Sequence, residues 1–101
     1  METQKQAEAL NENKNNLFIP ESSRSGTAFS DYLAIGIAEG FEDFTDNDLW
    51  IEAWATIGQK GLHRSLQGFF GRNLNHLKEF GVLNRDYSIN WEVFDDQVAV
   101  F

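Results

Sequence analysis

The feature that most constrains the fold of this chain is the absence of cysteine from a sequence of only 101 residues. Disulfides and thiolate zinc sites, which reinforce many short chains, are therefore excluded, and so is a cysteine nucleophile. A chain of this length forms one domain at most, so a single apolar core must stabilise it. Aromatic residues make up 14% of the sequence. Each large aromatic side chain buries roughly 150–250 Å², which makes a compact core feasible.

The first 26 residues differ in composition from the rest of the chain. Residues 2–16 are mostly Gln, Glu, Asn and Lys, and such a segment buries too little apolar surface to offset its ordering entropy. We therefore predict a mobile tail and linker over residues 1–26 and a single small domain over residues 27–101. The apolar run 17–20 has two interpretations: it docks back on the domain, or it is a linear motif for a partner.

Capping residues and apolar periodicity predict two helices in the first half of the domain. The first covers about 28–39, with Ser30 as its N-cap. The second covers about 46–58 and begins at a capping box formed by Thr45 and Asp48, which are three residues apart.

The third predicted helix covers about 62–79 and contains two glycines. Gly68 and Gly71 each cost about 1 kcal/mol relative to Ala inside a helix. We expect them to permit the close approach of another backbone or of a large ring, with Trp50 or Trp54 as the candidate rings.

After the third helix the apolar period changes to two. Tyr87, Ile89, Trp91 and Val93 alternate with polar residues, which is the spacing of a strand. Residues 95–97 read as a turn and 98–101 as a second strand. The predicted fold class is therefore α+β, a three-helix core followed by a C-terminal β-hairpin.

A distinctive pattern lies within residues 46–83. It consists of Ala53-Trp54, Gly61, the run Leu66-Gln67-Gly68-Phe69-Phe70-Gly71-Arg72, Leu77 and Gly81. This pattern resembles small uncharacterised phage-encoded proteins with an Ala-Trp…Gly…Leu-Gln-Gly-x-aromatic-Gly-Arg…Leu…Gly signature. The resemblance implies a phage origin and a role in the cytoplasm of an infected bacterial host. It implies no particular activity.

Charge is both strongly acidic and unevenly distributed. The formal net charge is -8, which disfavours nucleic acid and anionic membranes as partners. Residues 31–52 contain acids and no base, whereas residues 60–85 contain bases and a single acid. This layout suits the helix macrodipoles, and it also suits an acidic surface that faces a basic partner.

Seven residues are candidates for contact with a partner protein. Five belong to the acidic segment and two to the resemblance pattern: Glu39, Glu42, Asp43, Asp46, Asp48, Gln67 and Arg72. A purely structural role is the alternative for the last two, with Arg72 paired to an acid of the second helix such as Glu52. His63 and His76 are too far apart in sequence to share a helix face. We therefore expect neither a metal site nor a cofactor.

No catalytic constellation is apparent, because the chain has neither a supported Ser–His–Asp order nor a phosphate-binding glycine loop. The leading hypothesis is a non-enzymatic protein that binds and inhibits a host protein by presenting an acidic face to a basic groove. A winged-helix DNA-binding regulator is the first alternative, since three helices precede the predicted hairpin. A small self-assembling structural protein, and hence a homo-oligomer, is the second. No apolar run approaches the length of a membrane span, and no signal peptide is evident.

Overall fold

The computed structural model describes residues 17–40 and 46–100. These ranges contain four α-helices and one short 3-10 helix. They are α1 (Asp31–Glu39), α2 (Asn47–Lys60), the 3-10 helix η1 (Leu62–Ser65), α3 (Gly68–Glu79) and α4 (Trp91–Val100). Across the described ranges there is no strand, only the isolated antiparallel bridges Phe18–Phe29 and Leu83–Ile89. The predicted α+β class is therefore wrong, and the described chain is helical.

The N-terminus of α1 follows the sequence prediction, whereas that of α2 is shifted. The side chain of Ser30 accepts a hydrogen bond from the Leu33 backbone N–H at 3.1 Å, so Ser30 is the N-cap of α1. The N-cap of α2 is Asp46, which accepts from the Asp48 N–H at 2.8 Å. Thr45 lies outside the described residues.

The largest departure from prediction is at the C-terminus, where α4 replaces the hairpin. Tyr87 has a left-handed backbone with φ of 68°, which interrupts the extended chain. Asn90 then initiates a helix, because its Oδ1 accepts from the Val93 N–H at 3.3 Å and its carbonyl accepts from the Phe94 N–H at 3.0 Å. Trp91, Phe94 and Val98 recur at the spacing of one helical face.

The predicted third helix is divided into η1 and α3, and this changes the role of its glycines. Gly68 is the first residue of α3, and a Cβ on it would meet only the Arg72 side chain. Within the described part of the chain, a Cβ on Gly71 would meet nothing within 4 Å. The expected packing of a tryptophan against these glycines is therefore wrong.

The glycine that does permit close approach is Gly58, which the prediction placed at the end of the second helix. Gly58 is buried inside α2, and an added Cβ would lie 2.5 Å from Cγ and 2.9 Å from Cβ of Tyr87. The missing side chain makes room for the Tyr87 ring.

The core is built around α2. Every residue from Ile51 to Gly58 is buried, so this helix is covered on all sides, as a central helix must be. Lys60 at its end forms an ion pair with Asp31 at the start of α1, which fits an antiparallel packing of the two helices. On another side, the Trp54 ring lies 5.9 Å from that of Phe70 in α3.

Residues 17–27, called the strap below, lie across this helical core. Phe18 and Phe29 exchange two backbone hydrogen bonds of 2.8 and 2.7 Å, and Pro20 is fully buried. The apolar run 17–20 thus docks on the domain, the first of its two interpretations. Residues 1–16 of the predicted tail lie outside the described residues. In the part of the chain that is described, no helix is both long enough and apolar enough to span a membrane.

Candidate functional site

An open apolar groove lies between α2, α3 and α4. Its volume is about 620 Å³. Six of its lining side chains are apolar and two are amides: Trp50, Leu77, Phe80, Val82, Phe94, Val98, Asn47 and Gln97. Phe80 is 63% exposed, so the groove presents a large aromatic ring to solvent.

The turn after α3 determines which apolar residues reach the groove. Gly81 has φ of 81°, a left-handed conformation that glycine adopts without strain. The N–H groups of Val82 and Leu83 both donate to the Leu77 carbonyl, at 3.0 and 3.2 Å. Both Phe80 and Val82 line the groove after this reversal, Val82 buried and Phe80 exposed.

The charges beside the groove are mostly acidic. Asp46, Glu79 and Asp96 are exposed, and each is the immediate sequence neighbour of a lining residue. The basic neighbour Lys78 lies against Tyr87 instead, with its Nζ 3.4 Å from the Tyr87 hydroxyl and 4.7 Å from the ring centroid. A ligand in the groove therefore meets mainly apolar side chains, and three exposed acids are adjacent in sequence to lining residues.

A second, smaller cleft brings together two of the residues predicted from sequence. Glu39 and Gln67 line a cleft of about 460 Å³ together with Leu66, Phe69 and Phe70. Gln67 is the N-cap residue of α3 and makes no capping hydrogen bond with its side chain.

Three of the remaining predicted contact residues have local contacts within the domain. Asp48 is paired with Arg24, and Asp46 caps α2. Arg72 lies one turn into α3, with its guanidinium beside Gly68. Glu42 and Asp43 lie outside the described residues.

The alternative role for Arg72, an ion pair with Glu52, is wrong because the strap occupies Glu52. The Glu52 carboxylate is wholly buried. Its Oε1 accepts from the hydroxyls of Ser23 and Ser25 at 2.9 and 2.7 Å. Its Oε2 accepts from the backbone N–H groups of Arg24 and Ser25 at 3.1 and 3.0 Å. These four hydrogen bonds satisfy a charge that would otherwise be costly to bury.

Arg24 is a central residue of the structure that was not predicted from the sequence. Its guanidinium binds Asp48 at 2.8 Å and Asp95 at 2.9 Å, and it lies 3.9 Å above the Trp91 ring centroid. The hydrogen bonds to Asp95 and Asp48 raise the pKa of Arg24, and the Arg24 hydrogen bond lowers the pKa of Asp95. A signal was present, since Arg24 is the sole base between Lys14 and Lys60.

The two histidines occupy different environments. His76 is exposed, and its Nδ1 lies 3.9 Å from a Glu79 carboxylate oxygen. The His63 ring lies 5.7 Å from the Tyr87 ring, and its buried Nδ1 has no hydrogen-bond partner among the described residues. No cluster of three or more metal-ligating side chains occurs among the residues with described positions.

Fold and site together define a small helical domain with an open apolar groove. In comparisons with family models, curated proteins and solved structures, none matches this chain.

Proposed function

We propose that this protein is a non-enzymatic interaction module that holds a basic, amphipathic helical segment of a partner protein in the groove between α2, α3 and α4. The observation that carries the proposal is the 620 Å³ apolar groove with the exposed Phe80 ring at its edge. Contiguous exposed apolar surface with an aromatic anchor is typical of protein-interaction sites.

The chemistry of the groove and its rim supports this kind of occupant. An amphipathic helix places side chains at i, i+3, i+4 and i+7 into an apolar groove. Basic residues on its other faces would meet Asp46, Glu79 and Asp96. Such charge complementarity raises the association rate and selects among partners. In this proposal the predicted acidic face becomes a rim of three acids, Asp46, Glu79 and Asp96, around the apolar groove.

A host protein in the cytoplasm of an infected bacterium is the proposed partner, and inhibition by occupying its basic segment is the proposed effect. The resemblance to phage-encoded proteins supports this setting, and the lack of cysteine suits a reducing compartment. The winged-helix alternative is not retained, because α4 stands where the wing would be.

The test uses a synthetic 15-residue helical peptide with Leu at i, i+3, i+4 and i+7 and Lys elsewhere. Its affinity is measured by fluorescence anisotropy for the wild type, Phe80→Ala and Tyr32→Ala. Tyr32 is a matched control, because it is an 80% exposed aromatic residue on α1 that does not line the groove.

We expect Phe80→Ala to weaken binding by at least fivefold and Tyr32→Ala to leave it unchanged. A peptide with Glu in place of Lys should bind more weakly than the Lys peptide at low salt. Equal affinities for the wild type and Phe80→Ala would refute the groove as the binding site. Analytical ultracentrifugation tests the other occupant, because a dimer that Phe80→Ala dissociates would show that the groove holds a second copy of the chain.

A further inference from the structure

The helix α4 forms one wall of the groove, and its polar contacts with the rest of the domain go to the strap. Trp91 Nε1 donates to the Ser22 carbonyl at 2.6 Å. Asp95 accepts two hydrogen bonds from Arg24, both of 2.9 Å. Among the described residues, no other α4 side chain is hydrogen-bonded to another element. Phe94, Gln97 and Val98 are the α4 residues that line the groove.

The strap itself is firmly attached to α2. Its 23–25 segment is bonded to the buried Glu52 carboxylate. Gln59 accepts from the Glu21 N–H at 2.7 Å and donates to the Glu21 carbonyl at 3.2 Å. The fixed partner in the contact between strap and α4 is therefore the strap.

Besides the Trp91–Ser22 hydrogen bond, the contact between strap and α4 is ionic and has one cation between two acids. Asp48 on α2 and Asp95 on α4 both bind the Arg24 guanidinium. Without that cation the two carboxylates would be neighbouring like charges, and their repulsion would be unfavourable. Arg24 and Asp95 are 42% and 52% exposed, so salt screens their interaction.

We infer that Arg24, Asp48, Asp95 and Trp91 form a latch that holds α4 closed, and that α4 opens as a separate unit when the latch is broken. Opening removes Phe94 and Val98 from the groove, so the latch controls whether the groove is complete. This last consequence rests on the proposed function, whereas the separate opening of α4 does not.

Hydrogen exchange followed by mass spectrometry on the full chain tests the latch. The variant is Arg24→Gln, and the control is Arg85→Gln, which removes the same charge from an exposed residue just before α4. We expect backbone amides of 91–100 to exchange at least tenfold faster in Arg24→Gln, with 51–58 unchanged. Adding Asp95→Asn to Arg24→Gln should restore part of the protection, since it removes the repulsion with Asp48.

Unchanged exchange of 91–100 in Arg24→Gln would overturn the latch. So would an equal rise in 51–58, which would indicate global unfolding. The Lys/Leu peptide separates the two proposals. Protection of 91–100 by the peptide, without an Arg24→Gln effect, supports the groove and refutes the latch. An Arg24→Gln effect without peptide protection supports the latch and counts against the groove.

Discussion

Replacing Gly58 by Ala tests whether position 58 must be glycine because the Tyr87 side chain packs against α2 there. An alanine side chain would lie 2.5 Å from Cγ and 2.9 Å from Cβ of Tyr87. These atoms form the base of the side chain, so a change of ring orientation cannot relieve the overlap. The backbone of α2 or of Tyr87 must shift, and Tyr87 already has φ of 68°.

The expected change in the free energy of unfolding follows from two opposing contributions. Ala is favoured over Gly inside a helix by about 1 kcal/mol. Overpacking of a buried site costs typically 1–3 kcal/mol, and the upper part of this range applies because backbone has to move. We expect Gly58→Ala to lower the free energy of unfolding by about 1–2 kcal/mol. A loss of 1 kcal/mol lowers the Tm of a domain of this size by roughly 4–8 °C.

Gly71→Ala is the matched control for this experiment. Gly71 lies inside α3, and an added Cβ would meet nothing within 4 Å. Only the helix propensity changes, so this variant should gain up to about 1 kcal/mol. Both are measured by urea denaturation with circular dichroism at 222 nm. A Gly58→Ala protein as stable as the wild type, or more stable, would refute the packing argument.

Two further predictions concern the carboxylates. Glu52→Gln places an amide where Oε1 and Oε2 accept four hydrogen bonds. It should lower the free energy of unfolding by about 1–3 kcal/mol. The exposed control Glu39→Gln should change the free energy of unfolding by less than about 0.5 kcal/mol in the same urea assay. Arg24 lowers the pKa of Asp95 in the folded chain, so the ionised Asp95 stabilises the fold. This stabilisation is present above about pH 4 and is lost as the pH falls through the pKa that Asp95 has in the folded chain. Carboxyl NMR titration should show the lowered pKa of Asp95. Asp95→Asn should weaken the loss of stability in acid, whereas Asp96→Asn should not.

Features set by neighbouring residues could be predicted from the sequence. The N-cap of α1 is an example, because Ser30 and the Leu33 N–H that it accepts from are only three residues apart. The end of α1 at Gly40 is another, since its φ of 85° favours glycine. The approximate positions of α1 and α2 follow from the same local rules together with apolar periodicity.

The C-terminal region shows where periodicity stops being decisive. Trp91 and Val93 fit a two-residue period, whereas Trp91, Phe94 and Val98 fit the face of a helix. Two features accompany the change to a helix: Asn90 caps α4 locally, and Tyr87 has a left-handed backbone with its side chain against Gly58 on α2. Tyr87 and Gly58 are 29 positions apart, so the strand pattern of 87–93 could not reveal that contact.

The candidate site was only partly accessible from sequence for the same reason. The acidic character of the chain, its single core and the presence of aromatic residues are properties of composition, and the sequence by itself determined them. The strap decides which acids remain free of partners among the described residues. Arg24 forms ion pairs with Asp48 and Asp95, and the 23–25 segment donates hydrogen bonds to Glu52. The groove exists only where α2, α3 and α4 meet, since its lining residues come from three distant segments. Contacts between distant segments depend on the packing of the whole chain, and only the tertiary structure could decide them.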